Sequence, residues 1–240
     1  MIISNSRKFI FVHVHKTAGS ALKLALQPHL AWNDLVLGGT PLGEAVNDIY
    51  HDVFKLHKHS TIAEISKVCG PEIVESYYTF SIVRDPLART VSLYNYIADL
   101  FRVEGRTMGI DHDEMRVAAR EQNPKYTHHI LEWSASRAYY SSENFSDFIR
   151  SPELAQDIGF RPQFEALQSR DGKLMVDQVF KHENLLRDLP RIWDRVGCRF
   201  LLPVWNRPKV QRLNPADVSA DDRDFLRRRF ADDYRAFEYE

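Results

Sequence analysis

Apolar residues along this chain fall into two patterns that alternate. "FIFVHV" at 9–14 is a continuous apolar run of strand length, and "YYTFSIV" at 77–83 is a second, β-rich run. Such runs suit strands covered on both faces, as in a parallel sheet. "KLMVDQVFK" at 173–181 is a third strand candidate. Each run gives way to helical spacing. "SALKLAL" at 20–26 sets Leu22 and Leu26 four apart and stops before Pro28, and "TVSLYNYIADLF" at 90–101 reads as helix. "LLRDLPRIWDRVG" is amphipathic, with Gly197 placed to cap its end. In "SADDRDFLRRRFADDYRAFEY", Ser219 and Asp222 stand in a capping-box arrangement. Strand-to-helix alternation predicts an α/β layer fold. Residues 102–160 are polar and helical, without a strand signal. No repeat, low-complexity tract or linker interrupts the pattern, so a single domain over residues 1–240 is expected.

Composition changes the picture by exclusion. With 240 residues, 44% hydrophobic and 27% charged, the chain can build an ordinary globular core. A formal charge of -1 argues against a general nucleic-acid or membrane-surface binder, so any phosphate chemistry must rest on locally placed cations. Cys69 and Cys198 form neither a disulfide framework nor a C-x-x-C pair, which fits a reducing interior. The apolar run near the N-terminus lacks a signal-peptide cleavage site. No apolar stretch approaches the roughly 18 to 20 residues a membrane span needs. These features predict a cytoplasmic protein without a transmembrane segment. Oligomeric state has no handle in the sequence.

Candidate chemistry sits at two strand-to-helix junctions. In open α/β sheets, ligands bind at the carboxyl ends of strands, against the next helix N-terminus. "HKTAGS" at 15–20 occupies that place. Thr17, Ala18, Gly19 and Ser20 are small enough to let their backbone N–H groups approach an anion, and Lys16 adds a charge. The lysine precedes the glycine, so the stretch is not the G-x-x-x-x-G-K-[ST] phosphate loop. A plain β-to-α turn with a solvated lysine is the alternative. A metal site is another, because "HVH" at 13–15 and "HKH" at 57–59 are both His-x-His pairs; the acidic cluster "DHDE" at 111–114 reads better as a solvated loop. The second junction, "FSIVRDPLARTVSLYNY" at 80–96, puts Arg84 at a strand end, Asp85-Pro86 in the turn, and Ser92 on the following helix. An arginine fork and a hydroxyl suit a second phosphate, and a structural ion pair is the rival use of Arg84. Asn206, Arg207, Lys209 and Arg212 form a late basic stretch able to close over a nucleotide, or simply a solvated loop.

"FVHVHKTAGSAL" resembles the 5′-phosphosulfate loop of sulfotransferases, and "FSIVRDPLARTVSLYNY" resembles their 3′-phosphate motif. The likeness is to the carbohydrate group that includes heparan sulfate 2-O-sulfotransferase and its bacterial relatives. It continues through "KHST" at 58–61, "RPQFEAL" at 161–167, "VFKHENLLRDLPRIWDRVG" at 179–197, "LPVWNRP" at 202–208 and "FADDYRAFEYE". One departure is His15, where the group usually has proline before the lysine.

The resemblance implies a three-layer, P-loop-NTPase-like sulfotransferase fold, with a mostly parallel central sheet flanked by helices. It implies transfer of a sulfuryl group from 3′-phosphoadenosine 5′-phosphosulfate to an acceptor hydroxyl, commonly of a carbohydrate, without a metal. Lys16 and the 15–20 loop would serve the leaving phosphate, Arg84 and Ser92 the 3′-phosphate, and Lys209 and Arg212 the nucleotide. Arg161 and Gln163 match the group's "PQ" element near the acceptor, and Glu183 matches a position read as an ion-pair or structural residue. His59 is the expected general base, with His57 orienting substrate or in reserve and His15 a third possibility. His128 and His129 could line the acceptor cleft or form a helix-surface pair. A kinase-like phosphotransferase, a metal-dependent hydrolase using the two His-x-His pairs, and a nucleotide-binding relative without turnover are the competing readings.

Overall fold

The computed structural model describes residues 1–108, 112–121, 132–169, 171–204 and 211–240. The chain divides into two compact units. One comprises Met1–Asp85, Pro162–Asn206 and Asp232–Glu240; the other comprises Pro86–Arg161 and Arg207–Ala231.

The first unit is built on a five-stranded sheet of β1 (Ile2–Ser4), β2 (Phe9–Val12), β3 (Leu35–Val36), β4 (Tyr78–Val83) and β5 (Gln178–Lys181), in the order β3-β1-β2-β4-β5. The sheet is mixed. β2 pairs in parallel with β4, and β4 with β5, but β1 is antiparallel to both β2 and β3. The expectation of a mostly parallel sheet is corrected here by a hairpin. Ile2–Ser4 turns back into Phe9 within a few residues, helped by Lys8 at φ 56, and so short a link permits only antiparallel pairing.

Alternation along the strands sends side chains to opposite faces. Phe9, Phe11, Phe80, Ile82 and Phe180 pack on one face with Leu22 and Leu26 of α1 (Gly19–Leu26). The helix Leu185–Val196 joins that layer through Leu185, Leu189, Ile192 and Val196. Ile10 and Val12 face the other way, onto Ile62 and Ile65 of α3 (Ile62–Cys69) and Val74 of α4 (Pro71–Ser76). Between β3 and α3 runs α2 (Pro41–Phe54), opened by Thr40, whose side chain accepts from the Gly43 N–H. Helices on both faces of the sheet make this unit three-layered.

The second unit begins with α5 (Pro86–Met108), which the pattern at 90–101 foretold and proline at its first position extends backward. Its aromatic core gathers Tyr94, Tyr139, Phe145 and Phe148. Arg89, fully buried, donates to the carbonyls of Gly159 and Arg161 at 3.0 and 2.6 Å and lies over the Phe230 ring. Every described stretch between residues 102 and 160 is helical or loop, as the sequence led us to expect. Among the described residues no helix is long and apolar enough to cross a membrane.

Candidate active site

Three adjacent parallel strands end on the same edge of the sheet, so the segments that follow β2, β4 and β5 are neighbours. After β2 comes His13-Val14-His15-Lys16-Thr17-Ala18, and then α1. This loop is strained. Lys16 and Ala18 adopt φ 64 and φ 71, left-handed values that cost a non-glycine residue about 1–2 kcal/mol each. Left-handed residues thus flank Thr17 on both sides. The loop is braced from within, because the buried Thr17 hydroxyl donates to the Val14 carbonyl at 2.9 Å. Ala18 caps α1 without any side-chain bond to the helix amides. Gly19 is required for a steric reason. A Cβ there would lie 1.8 Å from Cδ2 of His13, whose buried ring sits beneath the loop.

Lys16 is half-buried, and its amine is pushed down to about 7 by burial and by the nearby Arg84 guanidinium. Arg84 follows β4 and is itself lowered by burial, an effect opposed by the carboxylates of Glu183 and Asp85. Two cations held this close, in partial burial, make a place where an anion is stabilised. The loop after β5 contributes Glu183, which accepts the Asp85 N–H at 2.9 Å and the Tyr239 hydroxyl at 3.0 Å. That agrees with a structural reading of Glu183. Burial, together with the adjacent Glu183, pushes the Tyr239 phenol far up.

His57 and His59 lie between α2 and α3. The His57 N–H donates to Ser60 Oγ at 2.9 Å, and the Ser60 N–H returns to the His57 carbonyl at 3.0 Å, fixing a tight turn. Within it the His59 N–H donates to His57 Nδ1 at 3.1 Å, so that nitrogen is an acceptor. His59 Nδ1 lies 2.9 Å from the His13 carbonyl. A carbonyl can only accept, so Nδ1 carries the proton and Nε2 is left as the basic nitrogen. The two His-x-His pairs thus meet: the His59 ring is 4.5 Å from that of His13 and 4.6 Å from that of His15. Burial and the neighbouring His15 hold His59 well below the usual histidine range, hence neutral. Burial and the Lys23 ammonium do the same to His13. Among the described residues no group of three or more His, Cys, Asp or Glu side chains is arranged to hold a metal ion.

The remaining expected site residues belong to both units. Gln163 is almost fully buried, at 1% exposure, and its side-chain amide engages the backbone of Arg84. In the second unit, Ser92 is half-buried on α5, and Arg161 and Arg212 are exposed. Asn95 holds the Arg212 segment, accepting the Arg212 and Leu213 N–H groups at 3.0 and 3.1 Å and donating to the Leu213 carbonyl at 2.8 Å. Asn206, Arg207, Lys209, His128 and His129 lie outside the described residues. Sequence reasoning missed His13 as a support of the loop, and it missed Asp233 and Tyr239 altogether. Nothing local marks the last two, since their partners lie far away in the chain.

A family model described as "Sulfotransferase family" matches residues 1–240, all of the chain. No curated protein and no solved structure gave a match. The phosphate-suited loop after β2, the paired cations at adjacent strand ends and this match over the full length agree: the chain belongs to the sulfotransferase family.

Proposed function

We propose that this sulfotransferase moves the sulfuryl group of 3′-phosphoadenosine 5′-phosphosulfate onto the hydroxyl of a carbohydrate-class acceptor, in the cytoplasm and without a metal. One observation carries the reading. Lys16 and Arg84 sit together at the ends of neighbouring parallel strands, and His59 is hydrogen-bonded to the same loop that presents Lys16.

Lys16, with the amides of residues 17–20 acting as a P-loop-like cradle, stabilises charge gathering on the bridging oxygen as its bond to sulfur breaks. Arg84 grips the 3′-phosphate through its planar fork. His59 Nε2 takes the acceptor's proton as the new oxygen–sulfur bond forms, while Nδ1 stays fixed on the His13 carbonyl. His57 holds the turn that carries His59, and His15 faces the His59 ring. Ser92, Lys209 and Arg212 enter as donor-binding residues, and Arg161 as an acceptor contact, through the family motifs alone. Both units are taken as parts of one sulfotransferase domain.

The fit of the donor rests on the left-handed loop residues Lys16 and Ala18, the start of α1 without a side-chain cap and the glycine without room for a Cβ. Thermal unfolding tests it. Adenosine 3′,5′-bisphosphate should raise the melting temperature without divalent metal, and more than ADP does, because a ligand that binds only the native state stabilises it. Equal stabilisation by ADP with magnesium would sink the reading in favour of a phosphotransferase, and a zinc-dependent rise reversed by chelator would favour a metal site.

A further inference from the structure

We infer that Gln163, anchored by Asp233, is a positioning residue for Arg84 and thereby sets recognition of the donor's 3′-phosphate. The inference rests on the assignment of Arg84 to that phosphate. It departs from the sequence expectation that Gln163 meets the acceptor.

Arg84 lies one residue past β4, where sheet pairing has stopped: the last pairs are Val12 with Ser81 on one side and Val83 with Lys181 on the other. Its backbone N–H and C=O therefore need partners from elsewhere. Gln163 supplies both from one side chain. Oε1 accepts the Arg84 N–H at 2.9 Å, and Nε2 donates to the Arg84 carbonyl at 2.7 Å. A primary amide has the donor and acceptor of a peptide group, so Gln163 acts as one further rung of the sheet.

Asp233 fixes that rung in turn. Its buried carboxylate accepts the backbone N–H groups of Gln163 and Phe164 at 2.9 and 2.8 Å, and it lies 3.3 Å from Gln163 Nε2. This contact also settles the amide's orientation, because the nitrogen must face the carboxylate. Glu183 holds the next peptide through the Asp85 N–H. The main chain at Arg84 is thus tied on consecutive residues, and its guanidinium projects from a fixed base.

The test compares binding of adenosine 3′,5′-bisphosphate and adenosine 5′-phosphate by calorimetry, with donor KM and kcat measured alongside. Gln163→Met keeps the bulk and removes both hydrogen bonds. It should weaken the bisphosphate about 10-fold while leaving adenosine 5′-phosphate nearly unchanged, and raise donor KM more than it lowers kcat. In an Arg84→Ala background the same substitution should add almost nothing, as expected for residues that act as a unit. Equal weakening of both nucleotides would reduce Gln163 to a general structural role, and a change confined to acceptor KM would return it to the acceptor; either overturns the inference. If Arg84→Ala itself spares the preference for the bisphosphate, the Arg84 assignment has failed. If it abolishes the preference while Gln163→Met does not, only the Gln163 inference has failed. Should Gln163→Met not fold, Asp233→Asn is measured in the same way, with a loss of roughly 3-fold expected for the bisphosphate alone and equal loss for both nucleotides counting against the inference.

Discussion

Burial lowers both the Lys16 amine and the His59 imidazole, with opposite consequences for chemistry. An amine lowered to about 7 is mostly uncharged at pH 8, yet it must be charged to serve a leaving phosphate. The phosphates of a bound nucleotide would restore its proton. Binding of adenosine 3′,5′-bisphosphate at pH 8 should therefore take up roughly one proton, read by calorimetry in buffers of different ionisation enthalpy. Lys16→Met should abolish the uptake, and uptake that persists in that variant would point to another group. His59 is neutral at neutral pH, with Nε2 unprotonated, as the proposed role of base requires. The acid limb of the rate profile should consequently lie below the usual histidine value of 6.5. His59→Ala should remove that limb and lower kcat by about 10²- to 10⁴-fold. Loss of the limb in His15→Ala instead would move the base to the loop. The close approach of Gly19 to the His13 ring was foreshadowed by the small residues of "HKTAGS", because side-chain size is written in the sequence. The contact of Gln163 with the Arg84 backbone was not legible, because the two lie 79 positions apart and no local pattern encodes such a contact.

The loop and α1 behave as one element, and the wedge beneath them is His13. Gly19→Ala would drive a Cβ into that ring, and overpacking of this kind costs about 1–3 kcal/mol. Chemical denaturation should show such a loss, and donor binding should weaken with it. Adding His13→Ala should recover part of the stability, since the clash needs both partners; a purely additive double variant would mean that Gly19 is needed only for its backbone. Elements long enough to show a period were legible: β2, β4, α1, α5 and the helix Leu185–Val196, closed as foreseen by Gly197 at φ 71. β1 and β3, three and two residues long, were not, because alternation cannot be recognised over so few positions. α2 and α3 were overlooked although each carries a start signal. Thr40 precedes Pro41 in one, and Thr61 with Glu64 forms a full capping box in the other.

Across the whole molecule, burial of basic groups ties stability to pH. The unfolded chain binds protons at His13 and His59 from about 6.5 downward, where the native state resists them, so stability falls as the solution is acidified. Lys16 and the fully buried Lys23 are both lowered from 10.5 to about 7, so the unfolded chain also holds more protons throughout that interval. Stability should therefore keep rising from neutral toward alkaline pH. Urea midpoints should increase in order across about pH 5, 7 and 9, and Lys23→Met should flatten the alkaline part of the slope. A maximum at neutral pH would contradict these shifts. The tie between Gln163, Asp233 and Arg84 has a further consequence, for the time course of synthesis. A ribosome releases β4 and Arg84 well before Asp233 and Tyr239. Domains otherwise tend to fold from the N-terminal side as they emerge. Here the hydrogen bonds that tie the main chain at Arg84 can close only once Gln163, Glu183 and Asp233 have followed it out of the exit tunnel.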